Sequence, residues 1–314
     1  MPAWPKPAAQ PFRWAWTDIR PQLLRAGTVI SAAEAERRVL VLENPGLPGR
    51  SQVTDTLYAG VQLILPGEIA PAHRHTQSAL RFVLEGEGGF TAVDGERTTM
   101  HRGDFIITPH WTWHDHGHDG DGPVIWMDGL DVPLVAFLHA GFREEHTSDT
   151  HLIARPEGDA LARYGSGLLP VGLAGKSSTS PVFNYPYSRT REALDRLARH
   201  TDIDPQLGIC LRYVNPTTGD WAIPTIGATM RLIPRGYSTR PYQSTESTVI
   251  AAVEGEVSIE VDAGAPLRLM PNDVFALPGW RKWRLIGGSD DAILFTFSDR
   301  PVHEKLGLFR EHRG

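Results

Sequence analysis

Gly67-Glu68-Ile69-Ala70-Pro71-Ala72-His73-Arg74-His75-Thr76-Gln77-Ser78-Ala79-Leu80-Arg81-Phe82-Val83-Leu84-Glu85-Gly86 is the stretch from which the rest of the chain can be read. His73 and His75 stand two residues apart. Side chains alternate between the faces of a β-strand, so both project from one face. Downstream, Gly103 and Pro109 lead to His114, a third imidazole arriving from a separate strand. Three neutral imidazoles converging inside a barrel form a metal site with open coordination positions. Histidine is clustered to match: of 13 in the chain, seven lie between His73 and His118.

The same frame occurs twice. A shift of 169 residues brings Gly67 onto Gly236, Gly86 onto Gly255, Asp104 onto Asp273 and Pro109 onto Pro278, with no insertion between them. Leu84-Glu85-Gly86-Glu87 then meets Val253-Glu254-Gly255-Glu256. A repeat of roughly 90 residues is longer than a solenoid unit and reads as a duplicated domain. In the second copy the three histidine positions hold Tyr242, Ser244 and Trp283, which make no metal site. One metal per chain is therefore expected, in the first copy.

The totals agree with two domains. The chain has 314 residues, 41% of them hydrophobic, and roughly 150 residues make a domain. Short apolar runs at 58–65, 81–84, 89–93, 105–108 and 124–127 are strand candidates, punctuated by turns such as Pro66-Gly67 and Asp94-Gly95. Residues 1–50 read as an arm with short helices, one over 18–25 stopped by Gly27 and one opened by the capping box Ser31-Ala32-Ala33-Glu34. Trp4, Trp14 and Trp16 are expected to pack this arm down. Residues 51–140 form the first barrel domain, 141–205 a connecting segment with a helix over 191–200, and 206–314 the second barrel domain. A helix capped by Ser298 or Asp299, with Pro301 in its first turn, is expected near the end.

Composition excludes several classes. Lys+Arg is 31 against Asp+Glu 37, a net charge of −6 with no basic run, which is a poor match to nucleic acid. No apolar stretch approaches the roughly 20 residues of a membrane helix. Met1 to Lys6 lacks the apolar core of a signal peptide, and the one cysteine, Cys210, fits a reducing compartment, so a cytoplasmic location is expected.

The two histidine spacings, with the glycine and proline frame, are the cupin signature. The fold class that follows is mainly all-β, a bicupin of two double-stranded β-helix jelly-roll barrels with a few short helices. Two positions depart from the signature: Ala79 stands where a glutamate ligand is usual, and His118 where an asparagine is usual. Without the glutamate the metal keeps three protein ligands, leaving room for a two-atom chelating substrate plus dioxygen. Two residues past Ala79, Arg81 shares its inward face about 7 Å along the strand. A guanidinium in a barrel needs an anion, and its planar fork suits a carboxylate; an internal salt bridge, with Asp128 as partner, is the other reading. His116 shares a face with His114 and could exchange a proton with a bound substrate or brace a ligand. Gln62 could bond a substrate hydroxyl or serve as a core amide. His110 and His118 read as turn residues.

With these residues in view the chain resembles the gentisate 1,2-dioxygenase family of bicupin ring-cleaving enzymes, which includes salicylate and hydroxynaphthoate relatives. The resemblance rests on Arg37-Arg38 with Asn44-Pro45-Gly46, Tyr58-Ala59-Gly60 with Gln62, His73 through Phe82, and Trp113-His114-Asp115-His116. It also rests on Trp126 through Asp131 and, in the second copy, Tyr213 through Gly219. It implies Fe(II), one per chain, held by His73, His75 and His114. It further implies an aromatic 2-hydroxy acid chelating the iron beside O2 and a ring opened between the carboxyl- and hydroxyl-bearing carbons, with gentisate giving maleylpyruvate. Carried over by position, Arg81 and Arg37 would steady the carboxylate, Tyr58 and Gln62 would line the substrate, and His116 and Asp128 would act beside it. A homotetramer is implied as well. The alternatives are the same reaction on a substituted salicylate or 1-hydroxy-2-naphthoate, or a non-oxidative metal-dependent cupin isomerase or hydrolase.

Overall fold

The structure, a computed structural model, describes residues 2–32, 34–35, 37–172 and 176–314. Four antiparallel sheets make two barrels. In the first, a six-stranded sheet runs in the order Asn184–Tyr185, Phe105–Thr108, Ala79–Glu85, Val124–Leu130, Tyr58–Ile64, Arg38–Val41. It faces a five-stranded sheet of Arg143–Glu145, Ile69–His75, His114–His118, Gly89–Val93 and Glu96–Thr99. The second barrel repeats this plan. Its six-stranded sheet is Phe12–Trp14, Val274–Leu277, Thr248–Glu254, Ala292–Ser298, Gly227–Ile233, Ile209–Arg212, and the facing sheet contains Tyr242–Ser244 and Trp283–Gly287. No helix is long and apolar enough to cross a membrane among the described residues.

The two six-stranded sheets pack back to back. On Ala79–Glu85, Ala79, Arg81 and Val83 face the barrel interior, whereas Leu80, Phe82 and Leu84 face the sister barrel. Phe82 stacks on Phe295 with ring centroids 4.2 Å apart and planes 4° from parallel. Both faces of these strands are therefore buried. That explains their near-continuous apolar runs, where a half-exposed sheet would show alternation.

The duplication extends beyond the roughly 90 residues visible as sequence identity. In each repeat a short strand, a helix and a second strand precede the barrel, and the first strand crosses to the other barrel. Phe12–Trp14 pairs with Val274–Leu277, and the strand Arg38–Val41 that follows the helix pairs with Tyr58–Ile64. Likewise Asn184–Tyr185 pairs with Phe105–Thr108, and Ile209–Arg212 pairs with Gly227–Ile233. Trp4 stacks on Trp280, so the arm lies on the second barrel.

Polar anchors follow the same pseudo-twofold. Asp273 accepts the N–H of Trp16, first residue of the helix Trp16–Val29, at 2.8 Å; Asp104 accepts the N–H of Tyr187, first residue of Tyr187–Ala198, at 2.8 Å. Asp131 takes the Ser78 N–H and the Thr225 hydroxyl, while Asp299 takes the Ser247 N–H and the Thr56 hydroxyl. Each aspartate thus ties its own repeat to the other. Gly86 and Gly255 occupy equivalent turns at φ of 93° and 64°, where an added Cβ would lie 2.2 Å from the carbonyl oxygens of Pro123 and Asp291.

Three local expectations need revision. The first helix is not stopped by Gly27 but runs Trp16–Val29, with the Ile30 N–H bonded to Ala26 O. Gly27 is there for close approach: a Cβ would lie 3.0 Å from Leu63 Cδ2. The Ser31–Glu34 capping box forms, Glu34 N–H reaching Ser31 Oγ and Ser31 N–H reaching the Glu34 carboxylate, yet Ala32, Glu34 and Ala35 are turn, not helix. Ala33 of that box lies outside the described residues. The helix near the end, Arg300–Lys305, begins after Asp299 with Pro301 in its first turn; the Asp299 carboxylate serves Ser247 and Thr56 instead of capping it, and the Ser298 hydroxyl accepts the Arg300 N–H at 3.4 Å.

Candidate metal centre

His73 and His75 lie on the strand Ile69–His75, and His73 is directly paired with His114 on His114–His118. The ring centroids of the three are 4.2 to 5.5 Å apart, and each can offer a nitrogen within 4.8 Å of the others. Their tautomers are set by the backbone. Nδ1–H of His73 donates to Pro71 O at 2.8 Å, that of His75 to Gln77 O at 2.9 Å, and that of His114 to Thr112 O at 2.9 Å. This leaves Nε2 of each ring without a proton, the arrangement that orients metal-binding imidazoles. Nε2 of His114 is buried with no partner among the described residues, and Nε2 of His73 meets the guanidinium of Arg37.

Electrostatics favour ligation. Burial, reinforced by Arg37, pushes His73 down to about 3 and His75 to about 4; burial also holds His114 well below the ordinary imidazole range. All three are neutral near pH 7 and can coordinate without first losing a proton. The donor set, the fixed tautomers and the orphaned Nε2 fit a divalent metal. Among the described residues no second group of this kind is present. At the equivalent positions Tyr242 donates to Glu311 at 2.6 Å, Ser244 to Glu246 at 3.3 Å, and Trp283 packs edge-on against Tyr242.

Beside the histidines lies a cavity of about 350 Å3 lined by Arg37, His73, His75, Gln77, Phe142 and Arg143, among others. Arg81 is set deeper, and its two terminal nitrogens are engaged by neighbours. Its Nη1 donates to Thr108 Oγ1 at 2.6 Å and its Nη2 to His116 Nε2 at 2.8 Å, and Nε lies 3.6 Å from Asp128 Oδ1, ion-pair range but too long for a hydrogen bond. Because an arginine only donates, His116 Nε2 must accept, and its Nδ1 carries the proton. That Nδ1 is buried and has no partner among the described residues. Asp128 accepts from Trp126 Nε1 at 3.0 Å; burial raises its carboxyl above the usual range while Arg81 and Arg37 oppose the rise. Tyr58 is pushed up to about 12 by burial, and Gln62 is buried on the neighbouring strand position facing Trp126.

The structure thus brings His73, His75, His114 and Arg37 together and sets Arg81, His116 and Asp128 in one network behind them. Thr108 and Trp126 belong to that network and were not anticipated from sequence. Trp126 was within reach, since it lies two residues before Asp128 and so on the same face. Thr108 is contributed by a strand whose pairing no local pattern announces. His118, by contrast, braces a turn, with Nε2 to Gly122 O at 2.6 Å.

Fold and site together define a two-barrel cupin protein with a three-histidine site fit for a metal in one barrel. A cupin domain family model matches residues 60–133. Gentisate 1,2 dioxygenase 1 of Aquipseudomonas alcaligenes is 49% identical over 98% of this chain and 88% of its own length. A gentisate 1,2-dioxygenase of Streptomyces sp is 38% identical over 100% of this chain and 89% of its own. Salicylate 1,2-dioxygenase from Pseudoaminobacter salicylatoxidans, solved as adducts with gentisate, superposes with a TM-score of 0.94 at 34% identity, covering 99% of this chain and 87% of that one. The chain belongs to the gentisate 1,2-dioxygenase family, and it is a dioxygenase.

Proposed function

We propose that the protein cleaves the ring of gentisate between its carboxyl- and hydroxyl-bearing carbons, using one Fe(II) per chain, to give maleylpyruvate. The observation that carries this reading is the pairing of three neutral, backbone-oriented imidazoles with a half-buried arginine, Arg37, in one cavity. Ferrous iron held by His73, His75 and His114 would supply the redox and Lewis-acid chemistry that lets dioxygen react with an aromatic ring. The other residues bind and orient. Arg37 stands in the cavity beside the histidines and meets the substrate carboxylate; its planar fork suits that group. Arg81 acts from behind, holding His116 and Asp128 in place, so the geometry favours Arg37 as the direct contact. His116, fixed with its proton on Nδ1, donates a hydrogen bond to a substrate oxygen. Asp128 holds charge balance with the two arginines and, with its raised pKa, can take a phenolic proton. Tyr58 and Gln62 form the wall that meets ring substituents.

A second reading, salicylate or a substituted salicylate as substrate, is favoured by the solved salicylate dioxygenase, which binds gentisate too. Product analysis under 18O2 separates them. Gentisate should yield a ring-opened acid carrying both labelled atoms, with salicylate turned over far more slowly. Turnover of salicylate alone would establish the second reading, and labelled product from neither acid would overturn both. We also place the protein in the cytoplasm, consistent with one free cysteine, and as a homotetramer, for which exposed Phe137, Leu138 and Phe142 offer apolar surface.

A further inference from the structure

The second barrel is not a solid core. It encloses a cavity of about 270 Å3 whose lining includes Arg231, Tyr242, Glu246, Ile250, Trp221 and Trp283. Arg231 is 7% exposed, makes no hydrogen bond or ion pair among the described residues, and has a buried, unpartnered Nε. Its guanidinium carbon lies 5.4 Å from the centre of the Trp283 ring. Burying a guanidinium without an anion is costly, so an unpaired one facing a cavity is a site for an absent partner.

The repeat shows that this arginine is not a leftover of the metal centre. Arg231 occupies the position of Gln62, while Ile250 occupies that of Arg81. The inward cation has moved across the sheet, from the position on Thr248–Glu254 to Gly227–Ile233 on the far side of Ala292–Ser298, as the histidines gave way to Tyr242, Ser244 and Trp283. We infer that the second barrel is a binding site for a small organic monocarboxylate carrying an apolar ring or chain, with Arg231 as its anion partner. The rings of Trp221, Tyr242 and Trp283, with Ile250, suit the apolar part. Glu246 argues against a dianion such as phosphate. Its carboxylate accepts from Ser298 at 2.7 Å and Ser244 at 3.3 Å, and lies 3.7 Å from Arg300, so it stays in the lining as a competing negative group.

The test uses the full chain and 3-fluorobenzoate, which lacks the ortho hydroxyl needed to chelate a metal, followed by fluorine NMR and calorimetry. The wild type should bind one equivalent in the second barrel, separate from any bound at Arg37. Arg231→Met should weaken that equivalent by about 10- to 100-fold, the worth of a charge-assisted pair, and leave kcat/KM for the ring-cleaving substrate within about twofold. Arg231→Lys keeps the charge but not the fork, should fold if the neutral variant does not, and should weaken binding less. Inorganic phosphate should fail to displace the probe. No bound equivalent beyond one lost in Arg37→Ala, an unaltered second equivalent in both Arg231 variants, or displacement by phosphate would each overturn the assignment.

Discussion

The two barrels share strand order, register and polar anchors, yet His73, His75 and His114 in one stand where Tyr242, Ser244 and Trp283 stand in the other. Tyr242 pairs with Trp283 just as His73 pairs with His114. The glycine turns, the aspartates that seat the crossing helices and the reciprocal Thr56–Asp299 and Thr225–Asp131 contacts are common to both. What has diverged is the set of inward side chains. Backbone anchors are coupled to one another across the pseudo-twofold, so loss of one weakens both repeats. An inward residue touches only its own cavity and can change alone. Chemistry is thus separable from scaffold.

The largest contrast should come from the ligands. His73→Ala is expected to lower metal affinity by more than about 100-fold, beyond the effect of losing a supporting contact, and to abolish oxygen uptake. Ser244→Ala should leave metal content unchanged, and metal analysis after dialysis reads both. Next is the buried cation. Arg81→Ala leaves Asp128 unpaired in the interior and should destabilise by about 3–5 kcal/mol in denaturant unfolding, whereas Ile250→Ala creates only an apolar gap of about 2–5 kcal/mol with no change in pH dependence.

Acid should separate the barrels differently. His73 and His75 titrate at about 3 and about 4 in the metal-free fold but at about 6.5 when unfolded, so between these values the unfolded chain binds more protons. Their contribution is complete above about pH 6.5 and is lost as pH falls through about 4 and then about 3, with a slope of up to about two protons per molecule. Glu246, whose carboxyl is raised by burial, acts in the opposite sense. A metal-free protein whose stability did not fall on acidification through this range would contradict the neutral-imidazole description. The smallest effect should be symmetric: Thr56→Val and Thr225→Val should each destabilise by about 1 kcal/mol, and a large difference between them would break the pseudo-twofold account.

The histidine cluster was legible because period-two spacing is local: His73 and His75 must share a face wherever a strand forms. The duplication was legible wherever turns demand particular residues, as at Gly86 and Gly255. The exchange of the leading strands was not. Phe12–Trp14 and Asn184–Tyr185 are short segments whose sequence does not say which barrel edge they complete. Gly27 misled because glycine serves both helix ends and close packing, and only the Leu63 contact distinguishes them. Arg81 was correctly placed facing inward, but that its nitrogens are shared among Thr108, His116 and Asp128 depends on strand pairings no local pattern encodes.

The central claim, one working metal centre per two-barrel chain, is tested most directly by titrating metal-free protein with Fe(II) under argon and then measuring gentisate-dependent oxygen uptake. Uptake should rise linearly to one iron per chain and stay level beyond it. A break at two irons, or no uptake at any loading, would contradict the account.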